Sequence, residues 1–280
     1  MDIIKKLKNS SKLIHCITNP ISMMQCANSI LGLGARPIMA EHPLEVIDIT
    51  DSSDALLINL GNITDVRMQS MAKSFETALY KKLPVVVDAV GVSCSEVRKE
   101  FFYRKLITAM DTICIEEDSR PFLVIKGNYS EIKALFDENY KGSGVDGDAS
   151  LTIEDIIHVS KELAKDLGAV ILASGKTDIV TDGEKVFTVD NGVKELSMIT
   201  GTGCMLGTIC ASFLSVQEDV EAVAYACAFL GIAGERAAAE GTIDKENKSM
   251  GTGTFLMKLL DEISLLQDRD LEEAAKIRQI

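Results

Sequence analysis

The sequence predicts an α/β protein of three layers: a mostly parallel central sheet flanked by helices, with a helical C-terminal part. Two observations predict it. Six short apolar runs, LIHCIT (13–18), RPIMA (36–40), ALLINL (55–60), PVVVDAV (84–90), FLVIKG (122–127) and AVILAS (169–174), alternate with amphipathic stretches such as 22–34 and 64–82. Near-continuous apolar strands separated by helices indicate a parallel sheet buried on both faces. From Cys204 onward the pattern is helical throughout, over 204–216, 218–239 and 253–266, with a short tail helix.

Taken in order, the strands are broken once, where DIVTDG and KVFTVD (178–190) read as a hairpin turning on Asp-Gly. The polar stretch 138–150 is the one long loop, with strands on both sides of it. No Pro/Ser-rich linker divides the chain, so residues 1–280 are expected to form a single domain. At 46% hydrophobic and 25% charged residues, the chain has ample material for a large core. A net charge of −13 argues against a nucleic-acid partner, which needs a basic face to replace counterions. Seven cysteines, an odd count with no C-x-x-C pair, read as buried free thiols in a reducing cytoplasm. The N-terminal MDIIKKLKNSSK lacks the apolar core of a signal peptide, and the apolar run from Ala222 is shorter than the ~20 residues that span a bilayer. A soluble, cytoplasmic protein without a membrane partner is expected.

In open parallel sheets ligands bind beyond the carboxyl ends of the strands, so the residues there are the candidates for chemistry. Asp88 ends PVVVD before a flexible VGV, and Glu131 follows FLVIKG and its turn. Two carboxylates so placed suit a magnesium ion held through water, although each alone is as readily a cap. Gly201-Thr202-Gly203 puts Cys204 at the opening of a helix, where unpaired N–H groups and the helix dipole favour an anion and a thiolate. The second copy, Gly251-Thr-Gly253, is a simple helix start. Three near-motifs fail. Gly175-Lys-Thr lacks the P-loop glycine at position 170, and Leu206 breaks the dinucleotide fingerprint after Gly201. Leu151 and Ile157 break a calcium loop beginning at Asp146. His15, His42 and His158 lack ligand spacing.

HCITNP, CANSILGLGARPIMAEHPLEV, LLINLGNIT, PVVVDAVGV, VIKGNYSEI, ASGKTDIVTDGEKV, ITGTGCMLGTICASFL, FLGIAGERAA and GTGTFLMKLLDEI follow one another along nearly the whole chain. Together they resemble the hydroxyethylthiazole kinases of the ribokinase-like superfamily. GTGC alone is shared with pyrimidine and pyridoxal kinases, whereas HCITN and PIMAEHP point to the thiazole enzymes. The resemblance implies a ribokinase-like fold and transfer of the γ-phosphate of ATP, with Mg2+, to the primary alcohol of 4-methyl-5-(2-hydroxyethyl)thiazole. That step serves thiamine biosynthesis and salvage. It further implies a homotrimer with sites between subunits. The alternatives are a kinase of another heteroaromatic alcohol, of hydroxymethylpyrimidine or pyridoxal type, or a non-catalytic nucleotide-binding relative.

Residue by residue, the resemblance makes Met39, Asn19 and Gly201 substrate contacts, and Lys126 and Ser174 ATP contacts. Gly201, Thr202, Gly203 and Cys204 form an anion hole, Cys204 lies beside the reacting hydroxyl as the catalytic candidate, and Asp88 and Glu131 stand near the metal. The chain departs from the family in three places. Lys126 stands for an arginine, Ala89 for a proline, and 112–120 is extra length.

Overall fold

The computed structural model describes residues 2–115, 120–140, 152–239 and 250–280. Its strands are β1 Leu13–Ile17, β2 Arg36–Ile38, β3 Ala55–Asn59, β4 Val85–Asp88, β5 Leu123–Asn128, β6 Val170–Ser174, β7 Asp178–Thr181, β8 Val186–Val189 and β9 Ile277–Gln279. They form one sheet in the order β2-β1-β3-β4-β5-β6-β7-β8-β9. The pairs from β2 to β6 are parallel, and those from β6 to β9 antiparallel.

The helices are α1 Ile3–Ser10, α2 Met23–Gly32, α3 Val46–Asp51, α4 Asp65–Lys81, α5 Glu96–Phe101, α6 Thr108–Ile113, α7 Tyr129–Phe136, α8 Ile153–Leu167, α9 Thr202–Leu214, α10 Val220–Ala239, α11 Thr252–Leu265 and α12 Asp268–Ala274. Because side chains alternate along a strand, each apolar run feeds two cores. Leu57, Val86, Val124 and Leu172 pack with α1, α2 and α9 to α12. Leu56, Ile58, Val85, Val87, Ile125 and Ile171 pack on the opposite face with α4 to α8. The expected three layers follow from this division.

Local signals set the helix ends. Thr64 accepts the Arg67 N–H at the start of α4, and Thr152 and Asp155 cap α8 reciprocally. A π turn, Phe102–Ile107, joins α5 to α6. Helix α10 has the length and hydropathy of a membrane span, yet most of it is buried within the fold as a core helix. Gly175-Lys-Thr is the turn between β6 and β7, where the Gly175 N–H donates to the Asp178 carboxylate. The Asp182 carboxylate accepts the N–H groups of Glu184 and Lys185 in the β7–β8 hairpin. Six of the seven cysteines are buried, and Cys94 is exposed.

The structure corrects the reading of the tail as helical throughout. After α12 the chain extends into β9, antiparallel to β8. Three residues carry no readable period, and the strand forms because β8 offers it unpaired edge groups. Helix α1, not expected from the sequence, buries Ile3, Ile4 and Leu7. Residues 141–150 of the long polar loop, with the rejected calcium pattern, and residues 116–119 of the extra segment lie outside the described residues.

The β9 junction rests on Asn191, whose Oδ1 accepts the Lys276 N–H at 2.6 Å and whose Nδ2 donates to the Ala274 carbonyl at 3.0 Å. Helix α10 presses on it through Gly231, where an added Cβ would lie 2.5 Å from the Asn191 Cβ and 2.6 Å from its carbonyl carbon. Gly231→Ala is therefore expected to cost about 1–3 kcal/mol by overpacking against backbone, read as a lower midpoint of urea unfolding. An unchanged midpoint would show that this contact yields freely.

Candidate active site

Parallel pairing aligns three polar residues at the carboxyl edge of the sheet. Asn59 on β3 is in register with Asp88 on β4, and Asp88 with Lys126 on β5. All three continue the face that carries Leu57, Val86 and Val124, and all are buried. Lys126 Nζ donates to Asp88 Oδ1 at 2.9 Å, and Asn59 Nδ2 donates to Asp88 Oδ2 at 2.8 Å. Each of these three side chains would be costly to bury alone; together they satisfy one another.

The backbone holds the row in place. The Leu60 N–H donates to the Asp88 carbonyl, and the Ala89 N–H to the Lys126 carbonyl at 2.7 Å. A proline at position 89 could not make the second bond, so the Ala89 departure ties β4 to β5 at the Lys126 position.

Burial pushes the Asp88 carboxyl above the usual carboxylate range, opposed by Lys126 and Asn59. Burial also works against the Lys126 ammonium, but Asp88, with Cys204 and Glu131 beyond it, more than offsets this and holds Lys126 above the ordinary lysine value. The contact and the Asn59 hydrogen bond stabilise the charged forms of the pair together, against burial.

Helix α9 lies over this row. It starts at Thr202 from Gly201, whose φ of 97° and whose contact with Ser22 suit a glycine alone: an added Cβ would lie 2.7 Å from the Ser22 Cβ. The N-cap residue Gly201 has no side chain to cap the first turn and no acidic residue stands in it, while Gly203 is exposed. The first-turn N–H groups carry the positive end of the helix dipole, and the turn opens to solvent at Gly203. The Thr202 hydroxyl turns back to the Leu196 carbonyl, so only its backbone N–H remains to meet an anion at this turn. A Cβ on Gly203 would lie 3.8 Å from Lys126 Nζ, which sets the ammonium beside the same opening.

Cys204 is buried under that first turn and accepts a hydrogen bond from Asn59 Nδ2 at 3.3 Å. The expected thiolate is not favoured here. Burial pushes the thiol up and the Asp88 charge adds to the shift; Lys126 and the hydrogen bonds of Ser22 and Asn59 oppose it without reversing it. Desolvation is the largest influence, and it holds the thiol above its ordinary value, in its neutral form.

Glu131 is the N3 residue of a capping box on α7. Its Oε1 accepts the Gly91 N–H and its Oε2 the Asn128 N–H, both at 2.7 Å. Burial raises this carboxyl, Asp88 adds to the rise, and the two N–H groups and Lys126 oppose it. Among the described residues no three His, Cys, Asp or Glu side chains gather into a metal cage. The donor set nevertheless fits magnesium, which prefers hard oxygen, keeps several waters and takes few protein ligands. Each occupied carboxylate oxygen of Asp88 and Glu131 retains a lone pair for such a water.

The remaining candidates flank the row. Asn19, in the loop after β1, lies against Gly61, beside Asn59. Ser174 ends β6 opposite Asn128 and donates to the Gly127 carbonyl at 3.3 Å. Met39 follows edge strand β2, with β1 and β3 between it and the strand of Asp88. Its segment is pinned by Arg67 to Glu41, Ser70 to the Glu41 carbonyl, and His15 to the Ala40 carbonyl. Reading residues by type missed Asn59 and Ser22. The strand-end rule that singled out Asp88 applies equally to Asn59; Ser22 gave no local signal, because its contact with Gly201 spans most of the chain.

The comparisons with known proteins agree with this architecture. Residues 4–269 match the family model described as the hydroxyethylthiazole kinase family. A protein named hydroxyethylthiazole kinase 2 from Clostridium botulinum (strain Langeland) is 42% identical over 273 residues, 96% of each chain. The solved structure of a hydroxyethylthiazole kinase from Pyrococcus horikoshii OT3 is 29% identical and superposes with a TM-score of 0.83 over 100% of this chain and 98% of that one. A ribokinase-like superfamily protein from Enterococcus faecalis V583, 13% identical with a TM-score of 0.62 over 94% of both chains, shares the fold alone. With its sheet, its layers and nearly its whole length accounted for, the chain belongs to the hydroxyethylthiazole kinase family.

Proposed function

We propose that this protein transfers the γ-phosphoryl group of ATP to the primary alcohol of 4-methyl-5-(2-hydroxyethyl)thiazole, a salvage step for thiamine. The observation that carries this reading is the uncapped, solvent-facing start of α9 directly over the Asn59–Asp88–Lys126 row. Phosphoryl transfer through a loose transition state needs in-line positioning and neutralisation of equatorial charge more than a strong base. The N–H groups of Thr202 to Cys204 and the Lys126 ammonium supply that neutralisation. The alcohol oxygen bonds to the γ-phosphorus as the bond to the β-phosphate oxygen breaks, ADP leaves, and the hydroxyl proton is released late to solvent water. Cys204, neutral and fixed, positions the alcohol instead of deprotonating it.

Asp88 and Glu131 would hold magnesium through water, and the ion would neutralise the phosphate chain. Ser174 and Lys126 face the nucleotide; Asn19, Met39 and Gly201 face the thiazole. We read residues 1–280 as one kinase domain, cytoplasmic, acting as a homotrimer in which Met39 completes a neighbour's site. Support for the assembly comes from Ile21 (62% exposed), Met24 (69%) and Leu44 (83%), apolar side chains left open around the Asn19 and Met39 segments.

Phosphate transfer from ATP to a panel of heteroaromatic alcohols tests the function. The thiazole alcohol is expected to exceed hydroxymethylpyrimidine and pyridoxal in kcat/KM; a reversed order overturns the substrate, and no turnover on any member overturns the enzyme. Asp88→Asn and Glu131→Gln are each expected to raise the magnesium needed for half-maximal rate and to lower kcat more than thiazole affinity. Wild-type rates at limiting magnesium in both variants would remove them from the metal site.

Lys126→Met leaves the Asp88 charge buried without its cation, and about 3–5 kcal/mol of unfolding free energy should be lost along with turnover. Lys126→Arg keeps the charge but crowds a closed slot, at about 1–3 kcal/mol, with turnover retained. Urea unfolding beside steady-state rates checks both. Full stability in Lys126→Met would contradict the pairing described for Asp88.

A further inference from the structure

The amide of Asn59 bridges the Asp88 carboxylate and the Cys204 sulfur. Its orientation is fixed. The Gly61 N–H donates to Asn59 Oδ1 at 2.8 Å, so the oxygen must face that turn and the nitrogen must face the row. Both amide protons are then committed, one to Asp88 Oδ2 and one to Cys204 Sγ. Asn59 is fully buried at the end of β3, so no water competes for these bonds. One lone pair of the sulfur is taken, and Ser22 is hydrogen-bonded to the same thiol.

We infer that Asn59 is a positioning residue for phosphoryl transfer, setting the Cys204 sulfur at the place where it meets the accepting alcohol. The inference rests on the proposed reading of Cys204 as the neighbour of that alcohol. The residue type matters. A carboxylate in this slot would donate nothing and would repel Asp88, and an aliphatic side chain would leave Asp88 Oδ2, the Gly61 N–H and the sulfur without their partner. Asparagine alone among residues of this size offers two donors toward the row and an acceptor toward the turn.

A double-mutant cycle on the full-length enzyme, with ATP, magnesium and the thiazole alcohol, tests it. Asn59→Ala is expected to lower kcat about tenfold or more, with the thiazole KM little changed. In the Cys204→Ala background the same substitution should lower kcat far less, whereas in the Cys204→Ser background, whose hydroxyl accepts the same bond, most of the loss should return. A merely structural role for Asn59 would not track the atom at position 204. If Asn59→Ala does not fold, Asn59→Ser serves with the same expectations. An equal fold loss in the wild-type and Cys204→Ala backgrounds overturns the inference. Cys204→Ala with wild-type turnover by itself overturns instead the reading of Cys204 on which the inference stands, and the two failures are read from different proteins.

Discussion

The buried contact between Asp88 and Lys126 is the constraint around which the rest of the molecule is arranged. A carboxylate with no solvent exposure, at the end of a strand, is tolerable only with a cation and further donors in reach. Parallel register supplies them, because β3 and β5 place Asn59 and Lys126 on either side of it in one row. Such a pair contributes little net stability after desolvation, and a well-packed apolar row would hold the sheet as well. Above the pair lies the open N-terminus of α9, which on the proposed reading needs a cation and an ordered floor to receive a phosphoryl group.

The same burial decides the chemistry of Cys204. A helix N-terminus lowers the pKa of an accessible thiol, but here the sulfur is enclosed and faces Asp88, and both effects favour the neutral form. The positive field of the helix is instead available at the backbone N–H groups, which face solvent at Gly203. In the proposed reaction charge neutralisation is divided between backbone and Lys126, while the thiol, hydrogen-bonded by Asn59 and Ser22, is a fixed wall. A reaction with a loose transition state can use that division, since it asks for placement before proton removal.

Much of this was legible in the sequence. Apolar runs locate all six parallel strands, and the rule that ligands gather at strand ends selects Asp88. Lys126 and Ser174 came only with the family resemblance, and Cys204 from glycines before a helix. Asn59 satisfies the same strand-end rule, but a neutral amide draws no attention as acid, base or metal ligand, and its importance lies in register across β3 and β4. The inward turn of Lys126 toward Asp88 escaped for the same reason. β9 was too short for periodicity, and the neutral thiol could not be read because burial is a property of packing, not of the residues adjacent in the chain.

The most direct test is a crystal structure with a non-hydrolysable ATP analogue and the thiazole alcohol bound. The γ-phosphate is expected at the N–H groups of Thr202 to Cys204 and within hydrogen-bond reach of Lys126 Nζ, with the alcohol oxygen beside Cys204 Sγ. A γ-phosphate bound away from the start of α9, with the Asp88–Lys126 pair remote from both ligands, would contradict the account.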